Sequence, residues 1–195
     1  DADHQWLAWS PHDAAKGKPP RVTSTATIVA RMRCGGKGWQ IPLCGAVAYP
    51  SRALAEDPEE YGRRLRGTHE PLDGAYLLGS IEQREALVRG LAGRGPRYES
   101  TSVEQARGAA EVVRSLGFKV RQRERVVEWY RDAATKTIIS CRRVASVPVR
   151  CIAVEAWHHT YIATRDYIVT HNTSNLRHRL LWMVGRNPNL QIAYI

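Results

Sequence analysis

Asn172, with His171 before it and Thr173 after it, could cut the chain at its own carboxyl side. The side-chain amide of an asparagine can attack the carbonyl carbon of the same residue, which closes a succinimide and releases the next residue as an amine. A neighbouring imidazole, here that of His171, can protonate the leaving nitrogen and so lower the barrier. A lone His-Asn pair is common by chance, so its interpretation depends on the residues around it.

The segment upstream of this pair resembles the C-terminal splicing region of inteins. Cys151 lies in a predicted strand, and two further short strands lead to the His-Asn pair. The predicted strands are 147–154, 161–162 and 167–169. The resemblance covers residues 147–173 and implies protein splicing, in which a segment excises itself and joins its two flanks. The alternative is that Cys151 is only a buried strand cysteine.

Residues 1–9 resemble the intein segment whose histidine lies under the N-terminal scissile bond. The matching residue is His4, whose imidazole would protonate the amide nitrogen and help to twist the bond out of plane. The family usually has Thr or a small residue where this chain has Asp1. The alternative is a structural histidine between Trp6 and Trp9. Inteins also have a segment before this histidine, so we expect the upstream junction to lie outside these 195 residues and the chain not to splice alone.

Three residues match class 3 inteins, a subclass that lacks an N-terminal nucleophile and uses an internal cysteine. Its markers are a Trp two residues after the first histidine, a Cys in the penultimate block and a Thr before the terminal His-Asn. Here these are Trp6, Cys151 and Thr170. By this resemblance, Cys151 attacks the N-terminal junction, the acyl group moves to the Thr173 hydroxyl, and Asn172 cyclises. Trp6 would pack against the thiol and orient it.

The remaining site residues are assigned by the same resemblance. His159 would assist the C-terminal steps, and the adjacent His158 is expected at the surface. A nucleophilic thiol needs thiolate character, which Arg150 and nearby imidazoles could promote. The substrate implied is the chain's own pair of flanking segments, with no cofactor.

The centre of the chain carries two strong helix patterns. Residues 80–92 have apolar positions at helical spacing behind a Ser80/Gln83 capping pair, and 102–116 repeat the pattern before Gly117 closes it. This region resembles the second half of a LAGLIDADG, or DOD-type, homing endonuclease. The resemblance implies an α/β fold in which two helices meet at a metal-dependent DNA-cleaving site.

The carboxylates that such cleavage needs are missing from the expected positions. The turn after the helix at 80–92 has Arg94 where an acidic metal ligand belongs, and the other motif would lie near Asp57, without its long helix or closing Asp-Gly. Asp73 stands apart in a turn. Paired carboxylates hold the ions that activate water, so we expect cleavage to be lost. Mg²⁺ would be a cofactor only if the endonuclease region were active.

Residues 114–150 are strongly basic, with ten basic and three acidic side chains and hence a net charge of +7, against +10 for the whole chain. Arg121, Arg123 and Arg125 alternate along a predicted strand, which favours DNA contact. The alternative is the ordinary solvated face of a strand. DNA is therefore the second expected partner.

Residues 173–195 resemble the start of a phage terminase large subunit ATPase. If splicing placed Gly-Lys before Thr173, the junction would become a phosphate-binding Walker A motif. The Gly-Lys is not in this chain, so we expect no nucleotide binding by it.

The composition bears on the chain's location and on the state of its cysteines. No run of about 18 apolar residues and no signal peptide is found, so we expect no membrane partner and a cytoplasmic location. The other three cysteines, Cys34, Cys44 and Cys141, are not paired as CxxC and are predicted to be reduced packing residues.

The predicted fold is mixed: an all-β, horseshoe-like Hint splicing domain, interrupted by an α/β endonuclease remnant. The predicted domains are 1–50 and 138–172 for splicing, 51–137 for the remnant, and 173–195 for the host segment. The resemblances imply self-excision as the expected function, with an inactive DNA-binding endonuclease region. The alternatives are an active DOD-type endonuclease and a terminase or ATPase fragment.

Overall fold

The computed structural model describes residues 2–93, 95–131, 135–145, 154 and 160–171. Its contacts divide the chain into two compact units. The described residues within Asp1–Ile41, Thr137–Tyr161 and Val169–Ile195 form the first unit, and those within Pro42–Lys136 and Ile162–Ile168 form the second. The outer parts of the chain thus share one unit and the centre forms the other. The assignment of these units to splicing and endonuclease domains stays a prediction.

The first unit is built on a strand pair and two helices. Its elements are β1 (Gln5–Ala8), α1 (Pro11–Ala15), β2 (Arg21–Ser24) and α2 (Thr25–Arg33). Strands β1 and β2 are antiparallel, and Trp6 lies opposite Thr23. Ala8, Ile28 and Trp39 form a small buried cluster, against which Trp6 packs. This cluster fixes β1 against α2.

Residues 10–25 are polar and rich in Pro, Gly and Lys, which predicts an exposed loop, but they contain helix α1 and strand β2. The Ser10 side chain accepts a hydrogen bond from the Asp13 backbone N–H, and Pro11 occupies the first helical position. A serine cap followed by proline is a helix-start signal that operates even in a polar segment. Helix α2 begins in the same way, with Ser24 capping the Thr27 backbone N–H.

The second unit combines four helices with a three-stranded antiparallel sheet of order β4-β6-β5. Its elements are α3 (Pro58–Leu65), α4 (Gly74–Leu77), α5 (Ile81–Ala92), β4 (Arg97–Glu99), α6 (Val103–Ser115), β5 (Lys119–Arg123) and β6 (Val126–Tyr130). One face of the sheet supplies Tyr98, Val127 and Trp129 to a core that includes the buried alanines and valines of α6. The unit is a mixed α/β structure.

Four more strands form two further pairs: β3 (Gln40–Pro42) with β7 (Thr135–Thr137), and β8 (Thr160–Ala163) with β9 (Ile168–His171). The chain between β8 and β9 turns through Thr164 and Tyr167, both at positive φ. Strand β9 carries Thr170 and His171. In the described part of the chain, no helix is both long and apolar enough to cross a membrane.

Helices α3 and α5 touch at two glycines. A Cβ added at Gly62 would lie 2.6 Å from the Leu87 carbonyl oxygen, and one at Gly90 would overlap the Glu59 carbonyl oxygen and lie 2.9 Å from the Gly62 Cα. Any side chain at either position would therefore push the helices apart. Helix α3 was not predicted, although Asp57 caps it, Pro58 begins it, and Tyr61 and Leu65 lie one turn apart on its buried side.

The two predicted central helices are confirmed. Helix α5 begins with the full Ser80/Gln83 capping box, and α6 begins at the Ser102 cap and is followed by Gly117 at φ 82°. The alternating residues over 119–129 predict one strand, and this prediction is wrong, because Glu124 adopts positive φ and turns the chain into the β5–β6 hairpin. The sequence also predicts a short β-like piece at 46–50, but these residues form no strand in the described structure.

Candidate functional site

His4 and Thr170 are joined by a hydrogen bond although 166 positions separate them in the sequence. His4 Nε2 lies 2.8 Å from Thr170 Oγ1. His4 immediately precedes β1, and Thr170 lies in β9 with 3% of its surface exposed. Both belong to the first unit. A buried hydroxyl needs a partner, and the imidazole of His4 supplies it.

Trp6 holds the His4 ring from the side. The two ring centroids are 4.6 Å apart with the planes at 73°, an edge-on contact. The indole Nε1–H of Trp6 donates to Thr25 Oγ1 at 2.9 Å. His4 immediately precedes β1 and Trp6 lies within it, and residues two apart along a strand direction share a side, so this contact is local.

Thr25 is connected to His4 as well. Its hydroxyl donates to the His4 carbonyl oxygen at 3.2 Å, and its backbone N–H donates to the same oxygen at 2.8 Å. Thr25 is the first residue of α2, where backbone N–H groups have no partner inside the helix. The start of α2 thus fixes the backbone of His4.

Burial lowers the pKa of His4 below its ordinary value of 6.5, and the positive charge of His171 lowers it further. The imidazole is therefore largely neutral at neutral pH. A neutral imidazole has one nitrogen that donates and one that accepts, so His4 can exchange a proton with a group placed beside it.

Four of the predicted splicing residues, His4, Trp6, Thr170 and His171, are described, and all lie in the first unit. The others lie outside the described residues: Cys151, His158, His159, Asn172 and Thr173. Thr25 also belongs to this arrangement, although the sequence indicates it only as part of the Ser/Thr cap before a short helix. The signal available was a threonine at the first position of a short helix close behind the His-Trp pair.

The second unit has an arginine at the end of its helix pair. Arg66, the residue after α3, donates from Nε to the Leu91 carbonyl oxygen of α5 at 2.9 Å. A Cβ at Gly93 would lie 2.5 Å from the Arg66 guanidinium. Arg94, the residue predicted to replace a metal ligand, lies outside the described residues. Guanidinium groups repel divalent cations, so the described residues here do not fit a metal site.

The carboxylate of Glu59 on α3 forms ion pairs with two arginines. It lies 2.7 Å from Arg63 and 3.2 Å from Arg89 of α5, and hydrogen bonds from these two guanidinium groups lower the Glu59 pKa. Within the described ranges, no group of three or more His, Cys, Asp or Glu residues is placed to hold a metal ion.

The predicted DNA-binding arginines lie on and beside β5. Arg121 and Arg123 are exposed, with Lys119 on the same face, and Arg125 is exposed in the following turn. Opposite Arg121 stands Glu128 of β6. The face therefore carries both basic and acidic side chains, and the basic ones are in excess along β5.

The other cysteines are not packing residues as a group. Cys34 and Cys141 are exposed, and only Cys44 is half-buried, where desolvation raises the pKa of its thiol. The packing prediction was therefore wrong for Cys34 and Cys141. Both cysteines lie among polar neighbours in the sequence and remain exposed in the structure.

No protein-family model and no solved structure matches the chain. Among curated proteins, the replicative DNA helicase DnaB of Mycobacterium leprae (strain TN) is 33% identical over 92 residues, which cover 43% of this chain and 15% of the helicase. The replicative DNA helicase DnaB of Mycobacterium intracellulare is 24% identical over 154 residues, covering 56% of this chain and 26% of the helicase. The chain is thus similar, over part of its length, to mycobacterial replicative DNA helicases.

Proposed function

We propose that this chain is the larger part of an intein that excises itself by protein splicing. Cys151 would be the first nucleophile, the Thr173 hydroxyl would receive the acyl group, and Asn172 would cyclise to release the intein. The proposal rests on the resemblance at residues 1–9 and 147–173, which the geometry around His4 supports.

The observation that carries the proposal is the hydrogen bond between His4 Nε2 and Thr170 Oγ1. A splicing site must bring its two junctions together, and these residues are the markers next to each of them. In an unrelated fold, nothing would require a histidine near residue 1 to contact a threonine two residues before Asn172. Trp6, the third described marker of class 3, is in contact with His4.

The electrostatics suit proton transfer at the N-terminal junction. A largely neutral His4 must take up a proton before it can donate one to a leaving amide, and its lowered pKa makes the protonated form a stronger acid. The Thr170 hydroxyl can hold the ring in one orientation through the approach of the nucleophile.

The C-terminal step balances without a cofactor. The Asn172 side-chain nitrogen forms a bond to the Asn172 carbonyl carbon and loses a proton, and the bond from that carbon to the Thr173 nitrogen breaks. The leaving nitrogen gains a proton and departs as an amine. His171 is the neighbouring group that can deliver it.

Restoring the upstream segment and comparing two substitutions tests this mechanism. Cys151→Ala should give neither branched intermediate nor spliced product, because an intein of class 3 has no N-terminal nucleophile that could form the thioester by another route. Asn172→Ala should instead stop C-terminal cleavage and let the branched species accumulate. The species are separated by denaturing electrophoresis and identified by mass spectrometry.

Cys34→Ser is the matched control, since Cys34 is an exposed cysteine of the first unit and should splice as the parent does. Splicing by Cys151→Ala, or a requirement for Cys or Ser at the restored N-terminal junction, would assign the chain to the ordinary intein mechanism.

We propose that the second unit is a LAGLIDADG-like region that binds DNA but no longer cuts it. Two observations support this proposal: the close glycine contact between α3 and α5, and the arginine at the end of that helix pair. The helix contact suits a paired-helix nuclease core, and Arg66 is incompatible with the divalent ions that such cleavage uses.

The test is to incubate the protein with Mg²⁺ and DNA that carries the uninterrupted host gene. We expect no cleavage. Specific cutting at the insertion position would instead make the chain an active DOD-type endonuclease, the rival function.

We propose that the host protein is a replicative helicase, in place of the terminase suggested by residues 173–195. The proposed host segment is only 23 residues long, so matches of 92 and 154 residues must include part of the proposed insertion. The related helicases then contain a similar insertion. Sequencing the coding region upstream tests this: helicase sequence ending in Gly-Lys is expected, and terminase sequence would contradict it.

A further inference from the structure

We infer that Thr25 is a positioning residue of the proposed splicing site, holding both Trp6 and His4 in place through its hydroxyl. The inference rests on the proposed function and extends it to a residue that the splicing markers do not include. Thr25 lies 19 positions after Trp6, at the start of α2.

The Thr25 hydroxyl makes two hydrogen bonds that only a donor-acceptor group can make together. It accepts from the Trp6 indole N–H at 2.9 Å and donates to the His4 carbonyl oxygen at 3.2 Å. The Thr25 backbone N–H reaches the same carbonyl at 2.8 Å. Serine could reproduce this pair of bonds, and valine, which has the same shape, could not.

These bonds continue to the proposed site of chemistry. Thr25 orients the indole of Trp6, the edge of that indole borders the His4 ring, and His4 Nε2 reaches the Thr170 hydroxyl. The same threonine also fixes the backbone of His4. Small errors in the position of a proton donor cost large factors in rate, so a residue that sets the direction of His4 affects the reaction without touching it.

A merely structural Thr25 would affect stability and leave His4 unchanged in the folded protein. Two readouts separate the possibilities in the 195-residue chain: the hydrogen-exchange rate of the Trp6 indole N–H, and the pKa of His4 from an NMR titration. The variants are Thr25→Val and Thr25→Ser. Thr23→Val is the matched control, since Thr23 is the cross-strand neighbour of Trp6.

In Thr25→Val we expect the Trp6 indole N–H to exchange about tenfold faster, because its acceptor is gone. We also expect the pKa of His4 to rise toward 6.5, because a looser ring is better hydrated. Thr25→Ser and Thr23→Val should both stay close to the parent protein. A folded Thr25→Val protein with both readouts unchanged would overturn the inference, as would a serine variant that behaves like valine.

If Thr25→Val does not fold, the parent protein itself supplies the test. The Trp6 indole N–H should then be protected, and exchange as fast as that of the same indole in the urea-unfolded chain overturns the inference. Neither readout depends on splicing. Failure of the chain to cleave after Asn172 would therefore count against the proposed function and leave the position of Thr25 to be decided by these measurements.

Discussion

The two units differ in the size of their cores and in the side chains that they bring together. The second unit has a substantial core, capped helices and a close glycine contact, yet an arginine lies at the end of its helix pair. The first unit has a small buried cluster, yet it brings together a histidine, a tryptophan and a threonine from distant parts of the chain. The proposed functions follow this difference: the first unit would splice, and the second would keep a scaffold without its cleavage chemistry.

The strongest way to disturb the second unit alone is to separate its helices. Gly90→Ala should destabilise it by about 3 kcal/mol, because the new methyl group would overlap the backbone of Glu59. Gly74→Ala is the matched control, since a Cβ there meets nothing within 4 Å and alanine favours the helix. Urea unfolding followed by circular dichroism measures both. A loss below about 0.5 kcal/mol for Gly90→Ala would mean that the helices do not touch in this way.

In the first unit, protonation of His4 should weaken the fold. Its folded pKa lies below 6.5, so the unfolded chain binds the proton more readily, and stability is full above pH 6.5 and is lost as pH falls toward the folded pKa. His4→Gln should therefore lose less stability than the parent between pH 7.5 and pH 5. The free energy of unfolding at the two pH values gives the comparison.

His12→Gln serves as the control for this pH dependence, because His12 is an exposed histidine of α1 in the same unit. It should follow the parent. Equal pH dependence of His4→Gln and the parent would show that the His4 environment does not favour the neutral imidazole.

The smallest expected effect concerns DNA on the second unit. We predict weak, sequence-tolerant association that fades with added salt, as phosphate contacts do. Replacing Arg121 and Arg123 together by alanine should reduce the slope of log affinity against log salt by about 1 to 2. Arg63→Ala, whose guanidinium is already paired with Glu59, is the control and should change the slope little. Binding that is insensitive to salt would contradict an electrostatic origin.

Local signals in the sequence were sufficient for part of this structure. The capping box of α5 and the Ser102 cap of α6 were predictable because a helix start depends on residues within one turn. Helix α3 was missed because it has only eight residues and one of its three buried positions is a glycine, which contacts another helix. The markers His4, Trp6 and Thr170 came from resemblance, and their contacts, like the role of Thr25, depend on tertiary structure that periodicity does not encode.

Arg84 illustrates the same limit. It belongs to the polar positions of α5 in the sequence, but it is fully buried and donates to carbonyl oxygens of Gly79 and Ser115 at 2.9 Å. Desolvation lowers its pKa. Only the folded chain reveals these acceptors, because Ser115 lies 31 positions away.

Cleavage after Asn172 tests the central claim most directly. The 195-residue chain, incubated at neutral pH, should release the 23-residue peptide 173–195 and leave a product ending in the Asn172 succinimide, one water lighter than the hydrolysed form. Asn172→Ala should release nothing, and intact-mass spectrometry reads both results. A chain that stays whole under these conditions, or an Asn172→Ala variant that cleaves at the same bond, would contradict the assignment of a splicing site.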